Sequence, residues 1–249
     1  MYEIIDASLR AFIDVEPDSD FPIQNLPYGI FSTPEGGVRA GTALGSWVVD
    51  LHVLERAGLL PTPSGPALFG QASLNAFAAA GRPAWNAVRA RLAALLSGSD
   101  ARLRDDAGLR ARALVPMDAC TLHLPFEIAS YTDFYSSEDH ATNVGKLFRD
   151  PANALTPNWK HLPIGYNGRA SSVVPSGHDV HRPMGQLPVA GGAPEWGPCR
   201  QLDFELETAF FVGPGTALGS RLAPDAAAGC IFGMVLMNDW SARDVQRWE

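Results

Sequence analysis

Lysine is nearly absent from this chain of 249 residues, occurring only at Lys146 and Lys160, and cysteine is confined to Cys120, Cys199 and Cys230, with no CxxC pair. An odd number of widely spaced thiols suggests neither a disulfide framework nor a thiolate metal site, and fits a reducing compartment. No apolar run approaches the ~20 residues that span a bilayer. The first residues, Met1-Tyr2-Glu3-Ile4-Ile5-Asp6, carry acids where a secretory leader would be basic. A cytoplasmic protein with no membrane partner is therefore expected. Basic residues are outnumbered as well, 19 against 27 acids for a net charge of −8, which argues against a general electrostatic grip on nucleic acid. Internal repeats and low-complexity tracts are also missing.

What is there is the composition of a folded protein, 46% hydrophobic and 18% charged, long enough for one large or two ordinary domains. Gly29-Ile30-Phe31-Ser32 begins a strand, and Val38 to Leu51, broken at Leu44-Gly45-Ser46, reads as a hairpin whose second arm is Trp47 to Leu51. Short strands of this kind suggest a small barrel. A loop rich in proline and glycine follows from Pro61 to Gly70, then helices from Ser73 to Ala80 and from Pro83 to Leu96. In the second helix Trp85, Val88, Leu92 and Leu95 recur at helical spacing and are read as core. The charged stretch Asp100 to Arg112 leads into Leu114-Val115-Pro116-Met117-Asp118, the best candidate boundary, dividing the chain into residues 1–117 and 118–249.

The most informative segment is Leu202 to Val212. Period-two alternation puts Asp203, Glu205 and Glu207 on one face of a strand and Leu202, Phe204, Leu206 and Phe210 on the other. Most strand carboxylates are solvated, but three on one face of a half-buried strand repel and resist desolvation unless a cation compensates them. The later run Cys230 to Met237 shows no alternation and reads as a strand buried on both faces, with Asp239 where it emerges. From these strands a metal or catalytic role stands slightly ahead of a solvated face.

Upstream, Tyr131, Asp133 and Tyr135 share a face if their segment is extended. Ser136 with Asp139 matches a capping box, and Glu138 and Asp139 suit the positive first turn of a helix that starts just before His140. His140, Val144 and Leu147 then share one helical face, so the histidine is expected toward the core or a cleft. A core histidine satisfied by a neighbour is the commoner case, yet the helix start disfavours an imidazolium and so suits a general base. Pro163 to Ser172 sets Tyr166 and Arg169 among glycines, as in a loop whose backbone approaches a ligand or in a plain turn. In the helix expected from Asp239 to Gln246, Arg243 and Gln246 either face a site or form a polar surface.

Taken together, YTDFYSS from Tyr131, HATNVG from His140, GRASSVV from Gly168, ELE from Glu205 and MVLMNDWSARD from Met234, with the early stretch from Phe21 to Gly29, closely resemble the fumarylacetoacetase family over almost the whole chain. The resemblance implies a mainly β protein with some α, an N-terminal SH3-like barrel followed by a mixed β-roll catalytic domain, in a homodimer. It implies a small-molecule substrate, fumarylacetoacetate, hydrolysed at a carbon–carbon bond in the last step of tyrosine and phenylalanine breakdown. Asp133, Glu205, Glu207 and Asp239 correspond to ligands of Ca2+ or Mg2+, in keeping with hard oxygen donors. His140 corresponds to the base that activates water. Tyr135, Arg149, Tyr166 and Gln246 match substrate-binding positions, and Arg243 is placed with them.

Two departures stand out. Asn167 occupies a position where the family commonly has histidine, and the sequence ends at Trp248-Glu249 within what reads as a helix. The family continues with a substrate tyrosine, a lysine, a Gly-Thr segment and the glutamate that orients the histidine, so the C-terminal part is expected to be missing. The alternative function is therefore a truncated, non-catalytic fragment that retains the metal site and a dimerisation surface. A related acylpyruvate hydrolase or decarboxylase would share the acids but lack the long N-terminal barrel.

Overall fold

Alternating Val, Ile and Phe around tight turns sets the first half of the fold. The computed structural model describes residues 4–61 and 67–248, except the side chains of Leu147 and Phe148. The proline-rich loop expected from Pro61 to Gly70 therefore falls partly outside the described residues. Of the helix expected from Asp239 to the end of the sequence, only Arg243–Gln246 is helical, with Ser241–Ala242 a strand and Arg247 and Trp248 a turn; Glu249 and the placement of Leu147 on the His140 face lie outside the described residues. Strands β1 (Tyr28–Thr33), β2 (Gly36–Leu44) and β3 (Trp47–Asp50) form an antiparallel meander, and Gly45 makes the β2–β3 turn at φ +57°, a backbone shape that glycine adopts without strain. Helix α1 (Leu51–Arg56) follows directly; later come α2 (Asn75–Ala79), α3 (Gly81–Leu96), α4 (Ala101–Arg104) and α5 (Ala107–Ala113). Strands β4 (Leu114–Pro116) and β5 (Thr121–His123) close on opposite edges, giving a sheet of order β4-β3-β2-β1-β5 that stays open among the described residues. Trp85, Val88, Leu92 and Leu95 are buried, as their spacing predicts.

The chain divides into two compact units. The smaller, Glu127–Val174, holds β6 (Thr132–Phe134), α6 (Glu138–Phe148) and β7 (Gly165–Asn167). Helix α6 is capped by Ser137, whose Oγ accepts from the His140 N–H at 3.3 Å, one residue later than the expected capping box. Its packed face carries Ala141 and Gly145, where an added Cβ would lie 2.1 Å from the Ala154 carbonyl oxygen. His140 is exposed, contrary to the expectation of a core-facing ring, because the contact too tight for any side chain turns Gly145 inward.

The larger unit combines residues up to Phe126 with those from Pro175 onward. Its later part contains the hairpin β8 (Met184–Leu187) and β9 (Glu195–Pro198), then β10 (Leu202–Asp203), β11 (Leu206–Val212), α7 (Pro224–Ala227), β12 (Ile231–Asn238), β13 (Ser241–Ala242) and α8 (Arg243–Gln246). Strand β11 pairs with β12, and β10 with β13, so the segment read as one strand is two, broken at Phe204 and Glu205. Nor is β12 buried on both faces. Among the described residues it has one neighbouring strand, and Met234, Val235 and Leu236 are exposed. Phe211 stacks on Phe126 at 4.2 Å, while Phe232 meets Tyr28, Phe77, Trp85 and Phe126 edge-on or tilted within 6.0 Å. This aromatic core joins the ribbon to the first half of the unit.

Two polar knots support this frame. Asp50, at 1% exposure, pairs with Arg39 at 2.5 Å and caps α1 through the Val53 N–H at 3.0 Å. Asp50→Ala removes both, leaves Arg39 unpaired, and should lower stability by about 3 kcal/mol in urea unfolding, with Asp50→Asn, which keeps a cap, costing less; a loss below about 1 kcal/mol for the alanine variant counts against the pair as a support.

Asp244 ties α8 to the β9–β10 connection by accepting from the Cys199 thiol at 3.0 Å and the Arg200 N–H at 2.7 Å. The thiol hydrogen bond, followed by backbone N–H groups, holds this carboxyl at about 2 although desolvation acts the other way. Its folded value lies below the unfolded one, so its contribution is complete above 3.8 and fades as pH falls toward 2. The melting-temperature gap between the unmodified protein and Asp244→Asn should therefore close across that window; a gap that stays constant through it removes Asp244 from this role.

Candidate metal and substrate-binding groups

Each unit presents a set of charged and hydroxylated side chains. In the larger one, the β11–β12 register places Leu206 opposite Asn238 and Glu207 opposite Met237, with the Asp239 N–H donating to the Glu205 carbonyl at 2.9 Å. Glu205, Glu207 and Asp239 thus gather at one end of the ribbon, and carboxylate oxygens of Glu207 and Asp239 lie within 4.8 Å of each other. Both residues are half-buried, as is Glu205. The alternating pattern is the reverse of a solvated acidic face: Glu205, Glu207, Ala209 and Phe211 turn inward, while Leu206 is 67% exposed, and Phe210 and Val212 are exposed with it.

Inward carboxylates need compensation, and Arg243 supplies part of it. Its Nη2 contacts Glu205 Oε1, its Nε donates to Asp203 Oδ2 at 2.8 Å, and its Nη1 donates to Gln246 Oε1 at 3.2 Å. Burial alone would lower the guanidinium's pKa, but hydrogen bonds to Glu205 and then Asp203 outweigh it and raise the value, so the cation is held firmly charged. Ser241 Oγ donates to the other Glu205 oxygen at 3.2 Å, and Asn238 Oδ1 accepts from the Glu205 N–H at 3.1 Å. Arg243 is therefore partnered with Asp203, Glu205 and Gln246. Asn238 and Ser241 lie within the MVLMNDWSARD stretch that the sequence singles out, but neither is assigned a role from it.

In the smaller unit, β6 pairs with β7 so that Asp133 lies opposite Tyr166 and Phe134 opposite Gly165. A Cβ at Gly165 would come 2.1 Å from the Asp133 carbonyl oxygen, so glycine is required for the strands to meet. Tyr131, Asp133 and Tyr135 alternate with exposed Thr132 and Phe134, as their spacing predicts. Arg169 adopts φ +67°, costly for a non-glycine residue, and its Nη2 reaches Asp133 Oδ2 at 3.5 Å, with the guanidinium 5.4 Å from the Tyr131 ring. The sequence flagged this loop without assigning Arg169 a role. Asn167 accepts from the Thr132 hydroxyl at 3.2 Å through Oδ1.

Tyr135 and Arg149 line one cavity of about 110 Å³, walled by Leu155, Trp159 and Ile164. The Tyr135 hydroxyl donates to the Ala141 carbonyl at 3.2 Å, its ring meets the His140 ring edge-on at 5.8 Å, and Trp159 Nε1 donates to the Tyr135 carbonyl at 3.1 Å. Arg149 Nη1 donates to the Ala154 carbonyl at 3.0 Å. Tyr166, on β7, stands 64% exposed outside that lining. The cavity offers one cation and one phenol within apolar walls, the means to hold a small carboxylate.

Within the larger unit Glu205, Glu207 and Asp239 offer carboxylate oxygens alone, a chemistry that fits a hard divalent cation and not a thiophilic one. No helix among the described residues is long and apolar enough to cross a membrane.

Residues 24–125 match the family described as fumarylacetoacetase N-terminal, and residues 129–249 match fumarylacetoacetate (FAA) hydrolase C-terminal. The chain is 54% identical over 247 residues to fumarylacetoacetase of Mus musculus and 54% identical over 242 residues to that of Homo sapiens, covering 96% of this chain and 58% of each relative. Against fumarylacetoacetase of Caenorhabditis elegans the identity is 53% over 247 residues, 97% of this chain and 59% of the relative. The chain thus spans somewhat under two thirds of the length of the curated relatives it matches. Two family matches in order along the chain, at this identity, show that it belongs to the fumarylacetoacetate hydrolase family.

Proposed function

We propose that this protein hydrolyses the carbon–carbon bond of fumarylacetoacetate to fumarate and acetoacetate, the last step of tyrosine and phenylalanine breakdown. The observation that carries this reading is the 54% identity to a relative named fumarylacetoacetase across 96% of the chain. In the same reading the open five-stranded sheet belongs to an SH3-like barrel within residues 1–117, to which Thr121–His123 adds an edge strand. Residues 118–249 supply a β-roll catalytic domain, and the protein works as a cytoplasmic homodimer.

Asp133, Glu205, Glu207 and Asp239 are the residues that would hold Ca2+ or Mg2+. Once bound, the cation supplies Lewis acidity to the oxygens of the β-diketone. Tyr135, Arg149, Tyr166, Arg243 and Gln246 bind and orient the substrate's carboxylate and carbonyl groups. The pairing of one guanidinium with one phenol in a cavity of limited volume supports this role for Tyr135 and Arg149. His140 takes a proton from water, whose oxygen adds to the carbonyl carbon beside the scissile bond. The carbon–carbon bond then breaks, its electron pair leaves with acetoacetate, and that product takes up a proton. Exposure of His140 on the first turn of α6 supports the role, since a base must reach water.

Loss of fumarylacetoacetate should be observable spectrophotometrically with Ca2+ or Mg2+ present and should stop on chelation. Failure in this chain and in any longer form of the same protein would defeat the proposal. His140→Ala should reduce turnover by roughly 10²–10⁴-fold with cation affinity unchanged; undiminished turnover removes His140 from the role of base.

A further inference from the structure

We infer that Ser241 and Asn238 are positioning residues that fix Glu205 for the divalent cation. The inference rests on the metal reading above. Glu205 sits in the two-residue break between β10 and β11, where no strand ladder holds its backbone. Three contacts replace the ladder, all from residues 238–241. Asn238 Oδ1 accepts from the Glu205 N–H at 3.1 Å, the Asp239 N–H donates to the Glu205 carbonyl at 2.9 Å, and Ser241 Oγ donates to Glu205 Oε2 at 3.2 Å. The same four-residue stretch carries Asp239, so the bracket fixes the spacing of two acids whose distance a cation must match.

The residue types matter. A hydroxyl orients the carboxyl plane while occupying one lone pair of Oε2 and bringing no charge, so the oxygen keeps its capacity for a cation; the Arg243 guanidinium on Oε1 adds positive charge instead. At position 238 an amide offers the acceptor that a carboxylate would, without adding another negative charge beside Glu205, Glu207 and Asp239. A carboxylate pre-set by neutral partners loses less freedom when it binds, and removing such partners of a metal ligand typically costs 10–100-fold in affinity.

Calcium titration calorimetry on the full chain tests this. Ser241→Ala should weaken calcium binding by about tenfold, and Ser241→Thr, which retains the hydroxyl, should restore it to near the unmodified value. Asn238→Ala should weaken binding in the same direction; if that variant does not fold, the serine pair alone decides. Melting curves recorded in chelator separate loss of fold from loss of affinity. Calcium binding as tight in Ser241→Ala as in the unmodified protein, or as weak in Ser241→Thr as in the alanine variant, overturns the assignment while leaving the metal reading intact. If the unmodified chain takes up neither calcium nor, titrated the same way, magnesium, both fall.

Discussion

Everything that concerns the acids depends on one packing choice, the face of the β11–β12 ribbon that turns inward. A two-stranded ribbon has two faces and can bury only one against the aromatic core. Phe211 stacks on Phe126, and Phe232 inserts among Tyr28, Phe77 and Trp85, so the face that carries Phe211 is the packed one. Period-two alternation then carries Glu207 to the same side, while Glu205, just before the strand, is held at that end of the ribbon by Asn238, Asp239 and Ser241. The acids are not drawn inward by their own chemistry; they follow the phenylalanines. The close approach is sharpened at Gly213, where a Cβ would stand 2.5 Å from the Trp85 ring.

Among the described residues the other face of the ribbon is exposed. Leu206, Phe210 and Val212 are exposed on β11, and Met234 and Leu236 on β12, the last at 76%. Carboxylates inside and leucines outside invert the usual division of a half-buried sheet. The inversion is tolerated at the acidic end because Arg243, Ser241, Asn238 and the Asp239 N–H engage Glu205 from the same short stretch. Desolvation is thereby balanced by charge and by hydrogen bonds together.

Much of this was legible in the residues themselves. The hairpin around Gly45 follows from turn chemistry, and the buried stripe of α3 from its spacing, because both depend on neighbours a few residues away. The four carboxylates, His140 and the cavity pair Tyr135 and Arg149 could be named from motifs. His140 was expected to face inward, since Val144 lies on its side of the helix. The contact that decides the matter, Gly145 against Ala154, comes from a chain segment with no periodic signal. Likewise Cys230 to Met237 reads as doubly buried because apolar residues alone fix no neighbours, and a strand with one partner has the same composition as one with two.

The sequence by itself determined the residue types, the short-range turns and caps, and, through motifs spread along the chain, the family and the candidate ligands. Only tertiary structure decided which ribbon face packs, that Leu202 to Val212 breaks at Glu205, and that Asn238, Ser241 and Arg243 converge on that glutamate. The physical reason is range. Propensity and alternation act over a few residues, whereas the bracket on Glu205 joins positions more than thirty residues apart, and their meeting depends on the register of β11 against β12.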